Sequence, residues 1–379
     1  MEAKEYEARL SKLREEIDAI DGELLPLFLR RMGCSAQVAQ LKGEAGMPVF
    51  SPQREQAILD KVRAQGGEDG DAAAALYSSI MAISRAKQHL LLHGGASLRQ
   101  LEATAARTLP LEGARVVCQG VPGAFSHKAA LEFFGDISPD FVPTWKEAFE
   151  EVAAGKGDYA VLPVKNSPAG SVTGVYDLIL RYRFYIVGAV DVKVEHCLAA
   201  GKATGAPTAA VSHPQALSQC SEYLEAHGLR PIQWSNTAAA ARYVAQEAPA
   251  GVAAICSQEA AREYGLTILE EGIQNEAENT TRFILISREA ILPQDAGKIS
   301  LCFALPHVTG SLSGVLQRFA MAGLNLTKIE SRPLPGRNFE YDFYLDFTGN
   351  LHQPATLELI CALQEELPRF SFLGNYSER

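Results

Sequence analysis

The stretch YAVLPVKNSPAGSVTGVYDLIL, residues 159–180, decides how the chain is read. Tyr159, Ala160, Val161 and Leu162 form a short apolar run of strand character. Pro163 limits the ladder, because proline has no amide hydrogen to donate. Lys165, Asn166 and Ser167 follow as a polar cluster, and Pro168, Gly170 and Gly174 keep the next turns non-helical. Tyr176 to Leu180 resumes an apolar pattern. A strand feeding a polar turn at the edge of a sheet is where open α/β folds bind ligands. An ordinary surface loop is the competing reading.

Units of the same kind lie on both sides. Residues 114–118 read as a strand, followed by Gly120-Val121-Pro122-Gly123-Ala124-Phe125-Ser126-His127 and a helix opening near Lys128. A glycine-rich turn into a helix N-terminus is a ready anion site. Residues 141–143 and a helix over 145–154 continue the alternation. Residues 184–194 form another apolar strand, ending in Glu195-His196-Cys197. Residues 209–211 lead into Ser212-His213-Pro214-Gln215, although alanine is a poor strand former. Residues 253–256 and 284–287 are further strands, the last preceded by Asn279-Thr280-Thr281-Arg282-Phe283. Repeated strand, polar turn and helix imply an α/β fold over residues 113–290. His127, His196 and His213 have no metal-ligand spacing and read as structural or solvent-facing.

Before this module, Leu10, Leu13, Ile17, Ile20, Leu24 and Leu27 alternate spacings of three and four, a stripe suited to long helix–helix packing. The next member is Arg31, and Cys34, Val38 and Leu41 resume the spacing. A buried guanidinium is costly unless paired, so Arg31 predicts an anionic partner inside the bundle and favours a ligand site. Lys42 lies close to three whole turns further on, roughly on the same face. Pro26 predicts a kink or local break. A second helix opens at Ser51-Pro52 and carries Arg54 and Glu55 in its first turns. A third spans about residues 71–92, with Ser84 and Gln88 four apart on one face. Surface-charged helices of a bundle suffice to explain Arg54 or Gln88 taken alone. Residues 94–112 read as a helix break, a short helix and a linker.

Residues 297–379 follow the order βαββα, with strands over 298–305, 325–331 and 339–347 and helices over 313–322 and 355–363. A last strand near 370–373 would complete a ferredoxin-like unit.

The chain has 379 residues, enough for two or three domains, and its 47% hydrophobic content can fill real cores. No stretch of about 18 apolar residues predicts a membrane span. The charged, helical start MEAKEYEARLSKLREE resembles neither a signal nor a transit peptide. A net charge of −10 argues against nucleic acid as the partner. Seven scattered cysteines without a CxxC pair imply reduced thiols in a cytoplasm, with no disulfide framework and no zinc site.

The first module resembles the all-helical chorismate mutases. LREEIDAID at 13–21, Arg30-Arg31, Lys42, PQRE at 52–55, Ser84 and Gln88 carry the resemblance, which covers most of residues 8–92. It implies an intertwined dimer whose long first helix spans both subunits. Arg14, Arg31 and Arg54 would hold the two carboxylates of chorismate. Lys42 and Gln88 would face the ether oxygen, and Glu55 the ring hydroxyl. Arg14, about 100° round the helix from Arg31, would serve the partner's site. Ser51 departs from the family, where many members carry an acid.

The central module resembles the prephenate dehydratases through GVPGAFSHKAA, LPVKNSPAGSVTGVYDL, EHCLA, SHPQALSQC and NTTRF, in that order. The resemblance implies two α/β lobes, like periplasmic-type binding proteins, with the site between them. Thr281 would deliver the proton. Ser126, Asn166, Ser167, Ser212, Gln215 and Phe283 would contact substrate, and Arg282 would bind a carboxylate or be structural. No metal or organic cofactor is implied, because aromatisation drives the reaction. Two family acids are missing: Lys165 replaces one, and Ala189 stands after Gly188 where the other belongs. Catalytic acids there would leave the dehydratase impaired; structural ones would leave it recast. The last module resembles the ACT domains attached to dehydratases. That resemblance makes Gly310, Ser311, Leu312, Asn325, Glu330, Ser331 and Arg332 candidate L-phenylalanine contacts.

Together these resemblances imply a multidomain, bifunctional mutase–dehydratase with domains at 1–93, 113–290 and 297–379 and a linker at 94–112. Its partners would be chorismate, prephenate and L-phenylalanine, and its state a homodimer or homotetramer in the cytoplasm. The alternatives are a mutase with a ligand-binding, non-catalytic centre, or a dehydratase acting on arogenate.

Overall fold

The computed structural model describes residues 3–167, 170–202, 205–305, 310–334 and 341–379. It divides into two compact units, Met1–Gln100 with Phe303–Phe343 and His352–Phe370, and Leu101–Cys302 with Tyr344–Leu351 and Ser371–Arg379.

The first unit opens on α1 (Ala3–Ala45), 43 residues and therefore about 64 Å long at the α-helical rise. Pro26 lies inside α1, and the predicted local break is absent, since the helix is continuous through it. The loss of one amide donor leaves the flanking turns of so long a helix bonded. α2 (Pro52–Gly66) and α3 (Gly70–Leu92) pack on each other and α3 packs on α1. Gly70 is needed at their joint, because a Cβ there would lie 2.5 Å from the Arg63 carbonyl oxygen. α4 (Ala96–Thr104) follows.

The face of α1 turned to α3 is not the one the apolar stripe indicated. Met32, Ser35 and Ala39 are buried, whereas Cys34, Val38 and Leu41 are exposed. Leu13, Ile17, Ile20, Leu24 and Leu27 are also exposed, each by about half.

The second unit contains two sheets. Its strands and helices run β1 (Val116–Gln119), α5 (Phe125–Phe134), β2 (Asp140–Val142), α6 (Trp145–Ala153), β3 (Tyr159–Asn166), β4 (Gly170–Ser171), α7 (Thr173–Tyr182) and β5 (Tyr185–Lys193). They continue as β6 (Cys197–Ala200), β7 (Ala209–Ser212), α8 (Pro214–Gln219), α9 (Ser221–Ala226), β8 (Arg230–Gln233), α10 (Thr237–Glu247), β9 (Val252–Cys256), α11 (Gln258–Glu263), β10 (Thr267–Glu271) and β11 (Thr280–Ser287). The first sheet has the order β2-β1-β3-β11-β5 with β4 on β3, and the second β10-β6-β9-β7-β8. α5 begins before the expected Lys128, and Gly174, expected to disfavour helix, lies inside α7.

Each face of the first sheet has its own core. Ala160, Leu162, Ile186 and Ile284 pack with Phe149 and Ile179, while Val161, Val190, Phe283 and Leu285 pack with Phe133. Burying one such large side chain is worth about 1.5–3 kcal/mol. The second sheet is lined by Ala199, Val211 and Ala254 against Ala238, Ala240 and Ala241 of α10, so small side chains let helix and sheet approach closely.

Pro163 does not end β3. It sits where the β3–β11 register shifts, between Arg282 and Phe283. A proline is tolerated at such a bulge. The extra residue turns Lys165 to pair with Arg282 and Asn166 to pair with Thr281.

The C-terminal elements are β12 (Lys298–Ala304), α12 (Ser311–Met321), β13 (Leu326–Pro333), β14 (Tyr341–Thr348), α13 (Pro354–Glu366) and β15 (Ser371–Tyr376). The strands form one sheet in the order β13-β14-β12-β15, and β15 supplies the expected last strand.

Candidate active sites

In the helical module, Arg31 Nη1 donates to Ser84 Oγ at 2.5 Å. The anionic partner expected for Arg31 is absent among the described residues, so its charge is unpaired there. Ser84 Oγ donates to the Ile80 carbonyl at 2.9 Å. Gln88 Nε2 donates to Ser35 Oγ at 3.0 Å, and Ser35 Oγ donates to the Ser84 carbonyl at 3.3 Å. Gln88 Oε1 is buried and has no hydrogen-bond partner among the described residues. A buried acceptor left open is costly, which marks it as a place for a donor. Lys42 Nζ donates to the Val49 carbonyl at 2.5 Å. Arg31, Ser84 and Gln88 thus meet through Ser35, a residue the sequence reading missed although it lies one turn beyond Arg31.

Glu55 is held by Arg85 Nη1, on both carboxylate oxygens. Arg14 and Arg54 are exposed and join neither network.

In the α/β module, Asn166 is the junction. Its Nδ2 donates to Thr281 Oγ1 at 2.8 Å and to Asn279 Oδ1 at 2.9 Å. Its Oδ1 accepts from Gln215 Nε2 at 3.0 Å and from Gln219 Nε2 at 3.4 Å. Gln219 Oε1 in turn meets His196 Nε2 at 3.0 Å. The end of β3 is thereby joined to β11 on one side and to α8 of the second sheet on the other. Because Asn166 donates to Thr281, the threonine hydroxyl keeps its own proton to give. Asn279 and Gln219 were not singled out from the sequence, although both lie inside the quoted motifs.

Other expected contacts are committed elsewhere. Ser212 is fully buried and donates to the Ile255 carbonyl at 2.6 Å. Ser126 donates to the Gln119 carbonyl at 2.7 Å. Ser167 Oγ is bonded to Thr280 N at 2.8 Å and to Thr280 O at 3.2 Å, pinning the turn. Phe283 is a core residue. The glycine-rich turn packs on α11: a Cβ at Gly123 would lie 2.7 Å from Ala260 Cα, and Gly123 N donates to His127 Nδ1 at 3.1 Å. Burial lowers the pKa of His127, His196 and His213, so all three favour the neutral imidazole.

Arg282 occupies the face opposite Thr281. Its Nε and Nη2 hold Asp191 at 2.7 and 2.6 Å, and its Nη1 holds Glu378 at 2.5 Å. The bond from Arg282 keeps the Asp191 carboxyl below the usual range. Lys165 pairs with Arg282 across the ladder and adds to the field on Asp191. Ala189 belongs to the core beneath, beside Tyr376 and Leu373. The two positions where an acid was expected, Lys165 and Ala189, therefore lie on the sheet face away from the Asn166–Thr281 junction, and Arg282 is not brought to it.

Of the residues expected at an effector site, Gly310 caps α12 with a φ of 86°, and Ser311 and Leu312 form its first turn. Glu330 lies between Lys328 Nζ at 3.3 Å and Arg332 Nε at 2.9 Å on β13. Asn325 and Ser331 are exposed.

A cation-lined helical module followed by a two-sheet α/β module with a buried amide–hydroxyl junction defines a two-module enzyme. Family comparison agrees on both parts. The family of chorismate mutase type II matches residues 13–89, and that of prephenate dehydratase matches residues 116–291. The bifunctional chorismate mutase/prephenate dehydratase of Aquifex aeolicus is 31% identical over 97% of both chains. The arogenate dehydratase/prephenate dehydratase 6 of Arabidopsis thaliana is 36% identical over 82% of this chain and 81% of its own. The prephenate dehydratase of Arthrobacter aurescens, solved with L-Phe, is 31% identical and superposes with a TM-score of 0.62, covering 69% of this chain and 89% of that one. This chain belongs to the bifunctional chorismate mutase/prephenate dehydratase family. It is an enzyme of aromatic amino acid biosynthesis with both activities. Among the described residues, no helix is long and apolar enough to cross a membrane.

Proposed function

We propose that the helical module rearranges chorismate to prephenate at Arg31, Lys42, Ser84 and Gln88, and that the α/β module converts prephenate to phenylpyruvate at Thr281. The rearrangement needs no nucleophile. It requires a folded conformer held in place and negative charge stabilised on the ether oxygen. The unpaired charge of Arg31 suits a substrate carboxylate. Arg14 and Arg54 complete the carboxylate contacts, Arg14 in the site of a second copy. The exposed apolar stripe from Leu13 to Leu27 supports a dimer built on α1.

The dehydration removes the ring hydroxyl as water and the ring carboxylate as carbon dioxide. The bond from Asn166 to Thr281 carries this reading, because it fixes the hydroxyl as acceptor and directs its proton outward. Gln215 and Gln219, on the other side of Asn166, close the junction around the substrate. Ser126, Ser167 and Ser212 shape the walls, and Arg282 is structural.

Residues 297–379 form an ACT regulatory domain that binds L-phenylalanine at Gly310–Leu312, Asn325 and Glu330–Arg332. The relative solved with L-Phe supports this effector. The domains divide at 1–93, 94–112, 113–290 and 297–379, and the protein works in the cytoplasm as a homodimer or homotetramer. Arogenate is the second substrate reading, favoured by the Arabidopsis relative. Supplying purified protein with chorismate, prephenate and arogenate in turn, and following prephenate, phenylpyruvate and phenylalanine, tests the whole scheme. No phenylpyruvate from prephenate would remove the second step while leaving the first.

A further inference from the structure

Arg85 was not among the residues that the sequence marked as functional. It lies next to Ser84 on α3 and half-buried, with its guanidinium 4.9 Å over the Phe50 ring. Nη1 holds both carboxylate oxygens of Glu55 on α2. Nε donates at 3.1 Å to Glu366 Oε2, at the end of α13. The same Glu366 oxygen accepts from Arg318 Nη1 of α12 at 2.7 Å. His89 Nε2 stands 2.6 Å from the other Glu366 oxygen, and His89 Nδ1 lies 3.0 Å from Glu365 Oε2. Glu366, Arg318 and His89 are all almost completely buried. Charges alternate along the row Glu55–Arg85–Glu366–Arg318, and each is opposed by its neighbours.

We infer that Arg85 is a positioning residue of the mutase site, fixing the Glu55 carboxylate through a guanidinium whose other edge is anchored by Glu366 of the C-terminal helix α13. The inference rests on the mutase reading above, in which Glu55 meets the ring hydroxyl of chorismate. A guanidinium is planar, so carboxylates on two of its edges are fixed in mutual orientation as well as in distance. A flexible glutamate gains a defined direction only from such a clamp. Burial pushes the Glu366 carboxyl up, but His89, Arg318 and Arg85 together hold it below the usual carboxylate range, so the anchor stays charged. Further polar contacts join α3, the turn after it and α4 to α12 and α13. Ser79 Oγ donates to Gln317 Oε1 at 3.0 Å, Gly95 N to Glu365 Oε1 at 2.6 Å, and Arg99 Nη2 to Glu358 Oε2 at 2.5 Å. α3 is thereby seated on α12 and α13, and a displacement of α12 or α13 moves Arg85 and with it Glu55. The helix that carries Arg318 begins at the candidate effector residues Gly310 and Ser311.

The test is mutase kinetics on the full-length chain, with prephenate turnover in the same preparation reporting that the protein is folded. Arg85→Met is expected to lower mutase kcat/KM about tenfold or more, the scale of a lost hydrogen bond to a charged group, mainly through KM. Arg85→Lys restores part of the loss, because it returns charge without the planar fork. Glu366→Gln gives a weaker loss in the wild-type background and none when added to Arg85→Met. Mutase kinetics unchanged by Arg85→Met would overturn the inference, as would a Glu366→Gln loss that is additive with it. Should Arg85→Met fail to fold, the comparison of Arg85→Lys with Glu366→Gln and their double variant decides by the same non-additivity. Lys42→Ala separates this from the underlying reading. If Lys42→Ala abolishes the mutase while the Arg85 and Glu366 variants do nothing, only the link fails; if Lys42→Ala is fully active, the site itself is misplaced.

Discussion

Thr281 and Arg282 are consecutive residues of β11 whose side chains serve opposite faces of one sheet. Thr281 meets Asn166, while Arg282 meets Asp191 and Glu378. The two are therefore separable by mutation. Thr281→Ala is expected to lower dehydratase kcat at least about a hundredfold, the lower end of a lost proton donor, with the mutase unchanged. Thr281→Ser should keep most of the activity. Arg282→Gln should lower the Tm in a thermal melt, because it breaks a partly buried network with Asp191 and Glu378, and leave dehydratase kcat within about threefold, since that network lies off the site. Equal kinetic losses from Thr281→Ala and Arg282→Gln would contradict the two-face arrangement.

Lys165 and Ala189 stand where the resemblance to the dehydratases predicts acids, and both share the Arg282 face. Lys165→Glu should therefore leave prephenate turnover within about threefold, because surface charges on the far side of a sheet are screened from the site. Ala189 is 1% exposed in a core with Tyr376 and Leu373. Ala189→Glu should destabilise the chain by about 3 kcal/mol or more, as a buried, unpaired carboxylate does. Restoring both acids together should not raise turnover. A sharp rise would show that the natural site lacks these groups.

The alternation of apolar runs, polar turns and helices was legible because the inner strands β1, β3, β5, β7, β9 and β11 are largely buried and read as near-continuous apolar runs, whereas the exposed β8 and β10 carry no such pattern. Asn166 stood out in the polar cluster after a strand, whereas Thr281 was marked only by the resemblance to the dehydratases. The faces were not legible. The bulge at Pro163 reverses the side of Lys165 and Asn166, and a strand pattern of period two cannot register one extra residue in advance. On α1 the apolar stripe was real, but the buried face runs through Met32, Ser35 and Ala39, and the stripe stays exposed. Arg85 and Glu366 are 281 positions apart, a separation at which no local spacing rule operates.

Ser35 links Gln88 to the Ser84 carbonyl inside the mutase module. Ser35→Ala removes two neutral buried hydrogen bonds, and loss of the one from Gln88 frees its amide to rotate. Mutase kcat is expected to fall about tenfold, near the upper value of one such bond, with dehydratase kinetics unchanged. Steady-state assays of both reactions on one preparation check this, and an unchanged mutase would remove Ser35 from the site.

Burial lowers the pKa of His127, His196 and His213. The unfolded chain therefore binds protons that the folded chain refuses, and stability falls as pH drops below about 6.5, the unfolded imidazole value. Above that pH these residues are neutral in both states and contribute no slope. Thermal melts between pH 5 and pH 8 should show the Tm falling on the acid side. His196→Gln should reduce the slope, since the most deeply buried of the three no longer titrates. A slope unchanged in that variant would assign the acid sensitivity to other groups.

Glu330 sits between Lys328 and Arg332 on β13, an edge strand of the C-terminal sheet. The two cations hold this carboxylate in place, with about a fifth of its side chain, 22%, left exposed. Glu330→Ala should weaken phenylalanine inhibition about tenfold or more in the concentration required, consistent with loss of a charge-assisted hydrogen bond. Turnover without phenylalanine should stay within about threefold, because the ion pairs of Glu330 with Lys328 and Arg332 lie along β13 rather than in either candidate site. Calorimetric titration with L-phenylalanine beside inhibition curves for both reactions separates binding from transmission. Binding lost along with inhibition places Glu330 in the effector site, whereas binding kept with inhibition lost places it on the path from effector to catalysis. Inhibition and binding both unchanged would exclude it from the effector site.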